Sequence, residues 1–235
     1  MSHLEKVAYA DGETALTGWL ARPAGRAHAA VLVFPTISNV TPNVERKVWA
    51  LAEAGYLALI ADFYGQDVPS FEAATALAIA LRADIAVYRT RLIAGLAALC
   101  ALPGVADLPL AAIGFCMGGQ AALELARSGA DIGAAVSFHG TLDTKALATP
   151  GTITARLLVC HGDADPMVPR TQVLNFWAEM DAAGADWHFN TYSGVRHGFT
   201  DPGSDARDLD AVRYDARADH ASWAAMLELF GAIFA

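Results

Sequence analysis

The chain has 235 residues, of which 54% are apolar types and 17% charged, and 16 Lys plus Arg against 25 Asp plus Glu leave a net charge of −9. That balance is too apolar for a disordered chain, and the apolar runs are broken by Asp, Arg or Gly well short of the roughly 20 residues that a membrane-spanning helix needs. The negative sign is opposite to that of proteins that neutralise phosphates, so a globular protein with neither nucleic acid nor membrane as partner is expected. Met1 to Ala10 carries His3, Glu5 and Lys6 and no apolar core, so no secretory signal is read there. Cys100, Cys116 and Cys160 are odd in number and widely spaced, which argues against a disulfide framework or zinc site and suits a reducing cytoplasm. No repeat and no long Pro/Ser/Gly linker divides the chain, and one domain over residues 1–235 is the expectation.

In chain order, two short strands flank a turn at Asp11-Gly12, the second being Thr14 to Ala21, and Ala29 to Phe34 is a continuous apolar run of the kind buried on both faces of a sheet. Thr41-Pro42 reads as an N-cap with proline at the first helical position, and the helix continues through Ala54 until Gly55 stops it. A strand follows at Tyr56 to Ile60. Phe71 to Ala101 is alanine-rich and helical, in two pieces, closed by Pro103-Gly104. Pro109 to Ile113 is the next strand, followed by a glycine-rich turn and a helix to about Arg127. Gly133 to Phe138 and Arg156 to Cys160 are further apolar strands. A helix from about Pro169 to Ala183 ends at Gly184, a strand runs from Ala185 to Tyr192, and an amphipathic helix from Ala218 to Phe234 closes the chain.

Alternation of buried strand and helix predicts an α/β fold with a mostly parallel sheet and helices on both faces, because parallel strands need helical crossovers. Ligands of such sheets sit beyond the carboxyl ends of the strands. Thr36, Asp62, Cys116, His139, Asp165 and His197 all follow predicted strands and are where chemistry is expected.

Gly114-Phe115-Cys116-Met117-Gly118 has the spacing of a nucleophile elbow, in which a sharp strand-to-helix turn lifts one side chain above the sheet edge. A helix starting just beyond Cys116 places its positive end under the sulfur and favours the thiolate, and it makes the Met117 N–H a natural oxyanion donor. A plainer reading takes Cys116 as a small buried hydrophobe and the glycines as packing. A cysteine nucleophile needs a base, and the base an orienting group. His161-Gly162-Asp163-Ala164-Asp165 follows one strand and offers Asp165 just before a helix, with Asp163 as the alternative acid or a turn residue bonding its own backbone. Gly194-Val195-Arg196-His197-Gly198-Phe199 follows the last strand. The order Cys116, Asp165, His197 is that of nucleophile, acid and histidine in the α/β hydrolases. Of the other histidines, His3, His28, His188 and His220 suit surface or core roles, whereas His139 in Ser137-Phe138-His139-Gly140 faces the same sheet edge. No two ligand types recur at the short spacing of zinc motifs, so no metal is assigned.

With these residues in place, the chain resembles the dienelactone hydrolase family, a branch of the α/β hydrolases with a cysteine in place of the serine. The resemblance runs through Val31 to Ile37, Ala54-Gly55-Tyr56, Asp62-Phe63-Tyr64-Gly65, the elbow Gly114 to Gly119, the loop around Asp165 and His197-Gly198-Phe199. It implies an α/β-hydrolase fold without a separate lid domain and hydrolysis of small lactones or esters with no metal or organic cofactor. It further implies Cys116 as nucleophile, His197 as base, Asp165 as its orienting acid and the Ile37 N–H as second oxyanion donor. Thr36, Tyr64, Phe115, His139, Trp187 and Phe199 are pocket candidates by position.

Two positions depart from the family pattern. Thr36 stands where the family has a glutamate beside the thiol, and Asp201 where it has an arginine that holds the substrate carboxylate. Unless Arg196 or Arg82 substitutes for that arginine, the substrate expected is therefore a small ester or lactone other than the family's anionic namesake, taken by a monomer or homodimer. The alternatives are a thioesterase or acyltransferase with the same three residues, a catalytically silent binding protein, and, last, a cysteine redox sensor.

Overall fold

The computed structural model describes residues 3–207 and 209–234; Met1 and Ser2, at the head of the segment read for a secretory signal, lie outside them. The fold is α/β and its strands run mostly parallel. By internal contacts it divides into two compact units, Met1–Ala112 and Ile113–Ala235, and each is described by itself.

In the first unit, β1 (Glu5–Asp11) and β2 (Thr14–Ala21) form an antiparallel hairpin. β3 (Ala30–Phe34) is buried at every residue, as its uninterrupted apolar run requires. The first helix, α1 (Pro42–Glu53), starts where the sequence places it, with the Thr41 hydroxyl accepting from the Val44 N–H and proline in the first turn. β4 (Leu57–Ile60) pairs antiparallel with β2 and parallel with β3, giving the order β1-β2-β4-β3. The alanine-rich stretch divides into α2 (Phe71–Ala83) and α3 (Ile85–Cys100). Asp84 makes the break: its backbone is extended and its carboxylate accepts from the N–H groups of Ala86 and Val87, which starts the second helix afresh.

β5 (Leu110–Phe115) crosses the boundary and leads at once into α4 (Met117–Arg127). The second unit continues with β6 (Ala134–Phe138), β7 (Arg156–Gly162), α5 (Arg170–Ala183) and β8 (Trp187–Tyr192), with strand order β5-β6-β7-β8 and the β6/β7 and β7/β8 pairs parallel. Gly184 ends α5 in the left-handed conformation expected of a C-terminal stop. A 3₁₀ turn, Pro202–Arg207, not foreseen from the sequence, precedes α6 (Ala216–Phe234). A buried charge cluster links α4 to α5. The Arg127 guanidinium donates to both carboxylate oxygens of Glu179 at 2.9 and 2.8 Å, to Glu124 at 3.0 Å and to the Leu142 carbonyl at 2.9 Å. Almost every donor of that guanidinium is thereby used, which buried charge demands.

Candidate active site

β5 ends at Phe115 and α4 begins at Met117, so Cys116 alone makes the turn between them. Its backbone is forced to φ +57° and ψ −120°, a conformation that costs a non-glycine residue about 1–3 kcal/mol and persists only where its surroundings fix it. Part of that fixing is glycine chemistry: a Cβ at Gly114 would overlap the carbonyl of Gly118, so strand and helix meet only if position 114 has no side chain. The Cys116 carbonyl accepts from the Gly119 N–H at 3.0 Å, which locks the first turn of α4. Cys116 is the residue before the first turn of α4 and so stands at the positive end of the helix.

Two further loops of the same unit converge on the sulfur. Asp165 follows β7 and is 3% exposed; its Oδ1 accepts from the Met167 N–H at 2.8 Å, and its Oδ2 lies 2.7 Å from Nδ1 of His197. His197 follows β8, and its Nε2 lies 3.1 Å from Sγ of Cys116. Main-chain bonds set these positions. The Asp163 and Ala164 N–H groups donate to the carbonyls of Tyr192 and Val195, lacing the acid loop to the histidine loop. His197 is bridged to Val212 through Ala211 and Arg213, and the Ser204 hydroxyl donates to the Gly198 carbonyl. Asp163, the alternative acid, turns outward into a two-point pair with Arg170 at 3.1 and 2.8 Å. The carboxylate that faces the histidine is Asp165.

Burial on its own would lower the pKa of His197. The negative charge at Cys116 and the hydrogen bonds to Asp165 and Cys116 outweigh it and raise the imidazole from 6.5 to about 10. The imidazole is thereby held toward its protonated form, between the carboxylate of Asp165 and the sulfur of Cys116. Such an arrangement supplies a nucleophile, a group that moves protons at Nε2, and a fixed counter-charge behind it. Among the described residues, no group of three or more His, Cys, Asp or Glu is arranged to hold a metal ion.

His139, immediately after β6, is buried beside the thiol: its Nδ1 accepts from the Cys116 N–H at 3.1 Å, and its ring lies 5.1 Å from that of His197. Phe199 packs edge-on against the same ring at 5.1 Å. Phe115, a pocket candidate, is instead a core side chain: the alternation of β5 turns it inward, where its ring stacks on Phe138 at 5.0 Å. Trp187 is corrected too. It is the first residue of β8 and pairs with Leu157 at the start of β7, so it lies at the amino end of its strand; its indole N–H donates to Asp181 and its ring stacks on Trp177.

Asp201, expected to place negative charge near substrate, caps the 3₁₀ turn. It accepts from the Gly203 N–H and pairs with Arg207 at 3.2 Å. Cys100 is exposed, whereas Cys160 is buried and its thiol pushed up to about 12 by burial.

In the first unit, Thr36 and Ile37 follow β3 in a tight turn closed by the Asn39 N–H on the Thr36 carbonyl, and the Tyr64 hydroxyl donates to the Ile37 carbonyl at 3.0 Å. Asp62 is a structural hub rather than a reacting group. Its carboxylate accepts from the Asn39 side chain and from the N–H groups of Thr17, Tyr64 and Gly65, all within 3.0 Å. Thr200, missed in the sequence, has its hydroxyl 2.8 Å from Nε2 of His139; its position three residues past His197 was the available signal.

The dienelactone hydrolase family model matches residues 16–234. The chain belongs to this family. Among solved structures it is similar to a dienelactone hydrolase-like promiscuous phosphotriesterase from metagenomic libraries, at 34% identity over 100% of both chains and a TM-score of 0.94. It is also similar to the structure named m3DLH, at 36% identity over 98% of both chains and a TM-score of 0.93. In sequence it is 29% identical over 209 residues, 83% of each chain, to a Bradyrhizobium protein named as a probable 2-oxo-3-(5-oxofuran-2-ylidene)propanoate lactonase. The fold and the resemblance expected from the sequence both hold, and the chain is a member of a hydrolase family.

Proposed function

We propose that this family member hydrolyses small carboxylic esters or lactones, with Cys116 as nucleophile, His197 as base and acid, and Asp165 orienting His197. The observation that carries the reading is the pair of short contacts through one imidazole, 3.1 Å to Sγ and 2.7 Å to the carboxylate, at a strained turn that projects the thiol. In this reading the proton of Cys116 passes to Nε2 of His197, and the thiolate attacks the ester carbonyl. The developing oxyanion lies toward the positive end of α4, where the Met117 N–H donates to it. The carbonyl re-forms as the C–O bond breaks, and the leaving alkoxide takes the proton from His197. A thioester remains on Cys116. Water then gives a proton to His197 and its hydroxide oxygen to the acyl carbon, and collapse expels the thiolate and the free acid.

Thr36 stands where the resemblance places the family's glutamate, so the activating charge in this reading comes from the His197–Asp165 pair. Because Arg207 takes up the charge of Asp201, an anionic lactone of the kind named for the Bradyrhizobium relative stays within the candidate substrate range.

A second reading is favoured by the 34% identical phosphotriesterase: the same thiolate displaces an aryloxide from a phosphotriester, leaving a phosphorus–sulfur bond that water must cleave. One substrate panel tests both, comprising short aryl esters, small neutral and anionic lactones, and an aryl dialkyl phosphate. The wild type is expected to turn over esters or lactones, and Cys116→Ala to lose about 10³-fold or more in kcat/KM. Turnover of the phosphotriester alone would favour the second reading. Wild-type rates retained by Cys116→Ala would end both.

A further inference from the structure

We propose that His139 is a positioning residue for the nucleophile: as a neutral imidazole with its proton on Nε2, it holds the Cys116 turn through Nδ1. The inference rests on the reading of Cys116 as nucleophile and adds the group that sets where its sulfur stands.

The tautomer follows from the donors. The Cys116 N–H is shared between two acceptors, the Phe138 carbonyl at 3.0 Å and Nδ1 of His139 at 3.1 Å. A backbone N–H can only donate, so Nδ1 must offer a lone pair and carries no proton. The single proton of the neutral ring is then on Nε2, which lies 2.8 Å from Oγ1 of Thr200 and donates to it. Burial of the ring beneath Phe199 and against His197 keeps it in this one orientation.

Strain explains why the turn needs this contact. Cys116 at φ +57° and His139 at φ +42° are two of the three non-glycine residues with positive φ among those described, and they face each other across one hydrogen bond. The backbone around His139 is pinned from the other side, its own N–H donating to the Cys160 carbonyl at 2.9 Å. A Cβ at Gly140 would meet the Gln120 N and the Gly119 carbonyl carbon at 2.6 and 2.7 Å, so the loop after β6 lies directly against the first turn of α4. Without an acceptor at Nδ1 the Cys116 N–H loses the contact that ties it to the His139 ring. The turn can then relax about its φ, carrying Sγ away from Nε2 of His197. Misplacing a reacting atom by about 1 Å can cost about 10²-fold in rate, an effect expected in kcat and not in KM.

The test uses side chains that imitate one ring nitrogen each. His139→Asn places an amide oxygen near the position of Nδ1 and can still accept from Cys116. His139→Gln reaches the position of Nε2 and Thr200 but offers nothing at Nδ1, and His139→Phe keeps a ring and offers neither. Each is read by the alkylation rate of Cys116 with iodoacetamide near neutral pH and by kcat and KM on the best ester or lactone of the panel. His139→Gln and His139→Phe are expected to lose about 10-fold or more in alkylation rate and kcat with KM little changed, and His139→Asn to restore most of the loss. Nitrogen-15 NMR of the wild type is expected to show a neutral His139 ring protonated at Nε2.

Equal rates for His139→Asn and His139→Gln would overturn the proposal, as would a proton found on Nδ1. Should His139→Phe fail to fold, the Asn and Gln pair still decides. Failure of the underlying reading looks different: the wild type itself would leave Cys116 unalkylated, or Cys116→Ala would keep turnover.

Discussion

Cys116 and Cys160 sit in the same unit at the carboxyl ends of apolar strands, yet the structure makes opposite chemical groups of them. Cys160 is the fifth residue of β7, wholly buried, its thiol pushed up to about 12 by desolvation. Cys116 stands one residue beyond β5, half-buried, at a helix start and 3.1 Å from an imidazole that the pair raises to about 10. Local composition does not separate them. What separates them is whether the strand has ended: inside the ladder a thiol is cut off from water, and one step past it a thiol meets a helix terminus and the loops of two other strands.

The widest gap between the two should appear in alkylation by iodoacetamide. Cys116 is expected to react in the native protein and Cys160 only after unfolding, because Cys160 is wholly buried and its thiol is pushed up to about 12. The pH dependence sharpens it. A free cysteine titrates near about 8.5, whereas Cys116, with His197 at 3.1 Å to take its proton, is expected to remain reactive well below that. The raised pKa of His197 means that the imidazolium's contribution is complete below 6.5 and lost as pH rises through about 10. In His197→Asn, alkylation of Cys116 should therefore follow an ordinary thiol, slow at neutral pH and rising through the alkaline range. Equal alkylation of both cysteines in native protein would remove the distinction.

A smaller effect separates Asp165 from Asp163. Asp165→Asn leaves His197 without its charge and is expected to lower kcat/KM by about 10²–10⁴-fold on the best substrate. Asp163→Asn breaks an exposed pair with Arg170 and should leave kcat/KM within about two-fold of wild type. Reversed losses would move the acid to Asp163. The least change is expected from Cys160→Ala, with kcat/KM unaltered and unfolding free energy lowered by about 1 kcal/mol.

Much of this was legible in the sequence because it rested on local rules. The apolar run at Ala29 to Phe34, the Thr41-Pro42 cap and the Gly114 to Gly118 spacing each state a conformation within a few residues, and the structure has them where expected. What was not legible depended on partners far along the chain. The burial of Glu124 and Arg127 in α4 depends on Glu179, which meets Arg127 from α5 more than fifty residues away. Asp201 reads as a charge near the substrate until the 3₁₀ turn supplies Arg207. His139 is visible as a residue past a strand, but its duty at the Cys116 N–H requires the positive φ at both residues, which spacing does not encode. Trp187 lies away from the site because it stands at the amino end of β8, whereas the reacting groups follow the carboxyl ends of their strands.

The central claim is that acyl transfer passes through the sulfur of Cys116. Intact-mass spectrometry of the wild type, quenched in acid during turnover of an aryl ester and followed by peptide mapping, tests it most directly. The account predicts a single acyl increment on the peptide containing Cys116, absent from Cys116→Ala and accumulating where His197→Ala slows its release. Turnover with no adduct, or an adduct that survives in Cys116→Ala, would contradict it.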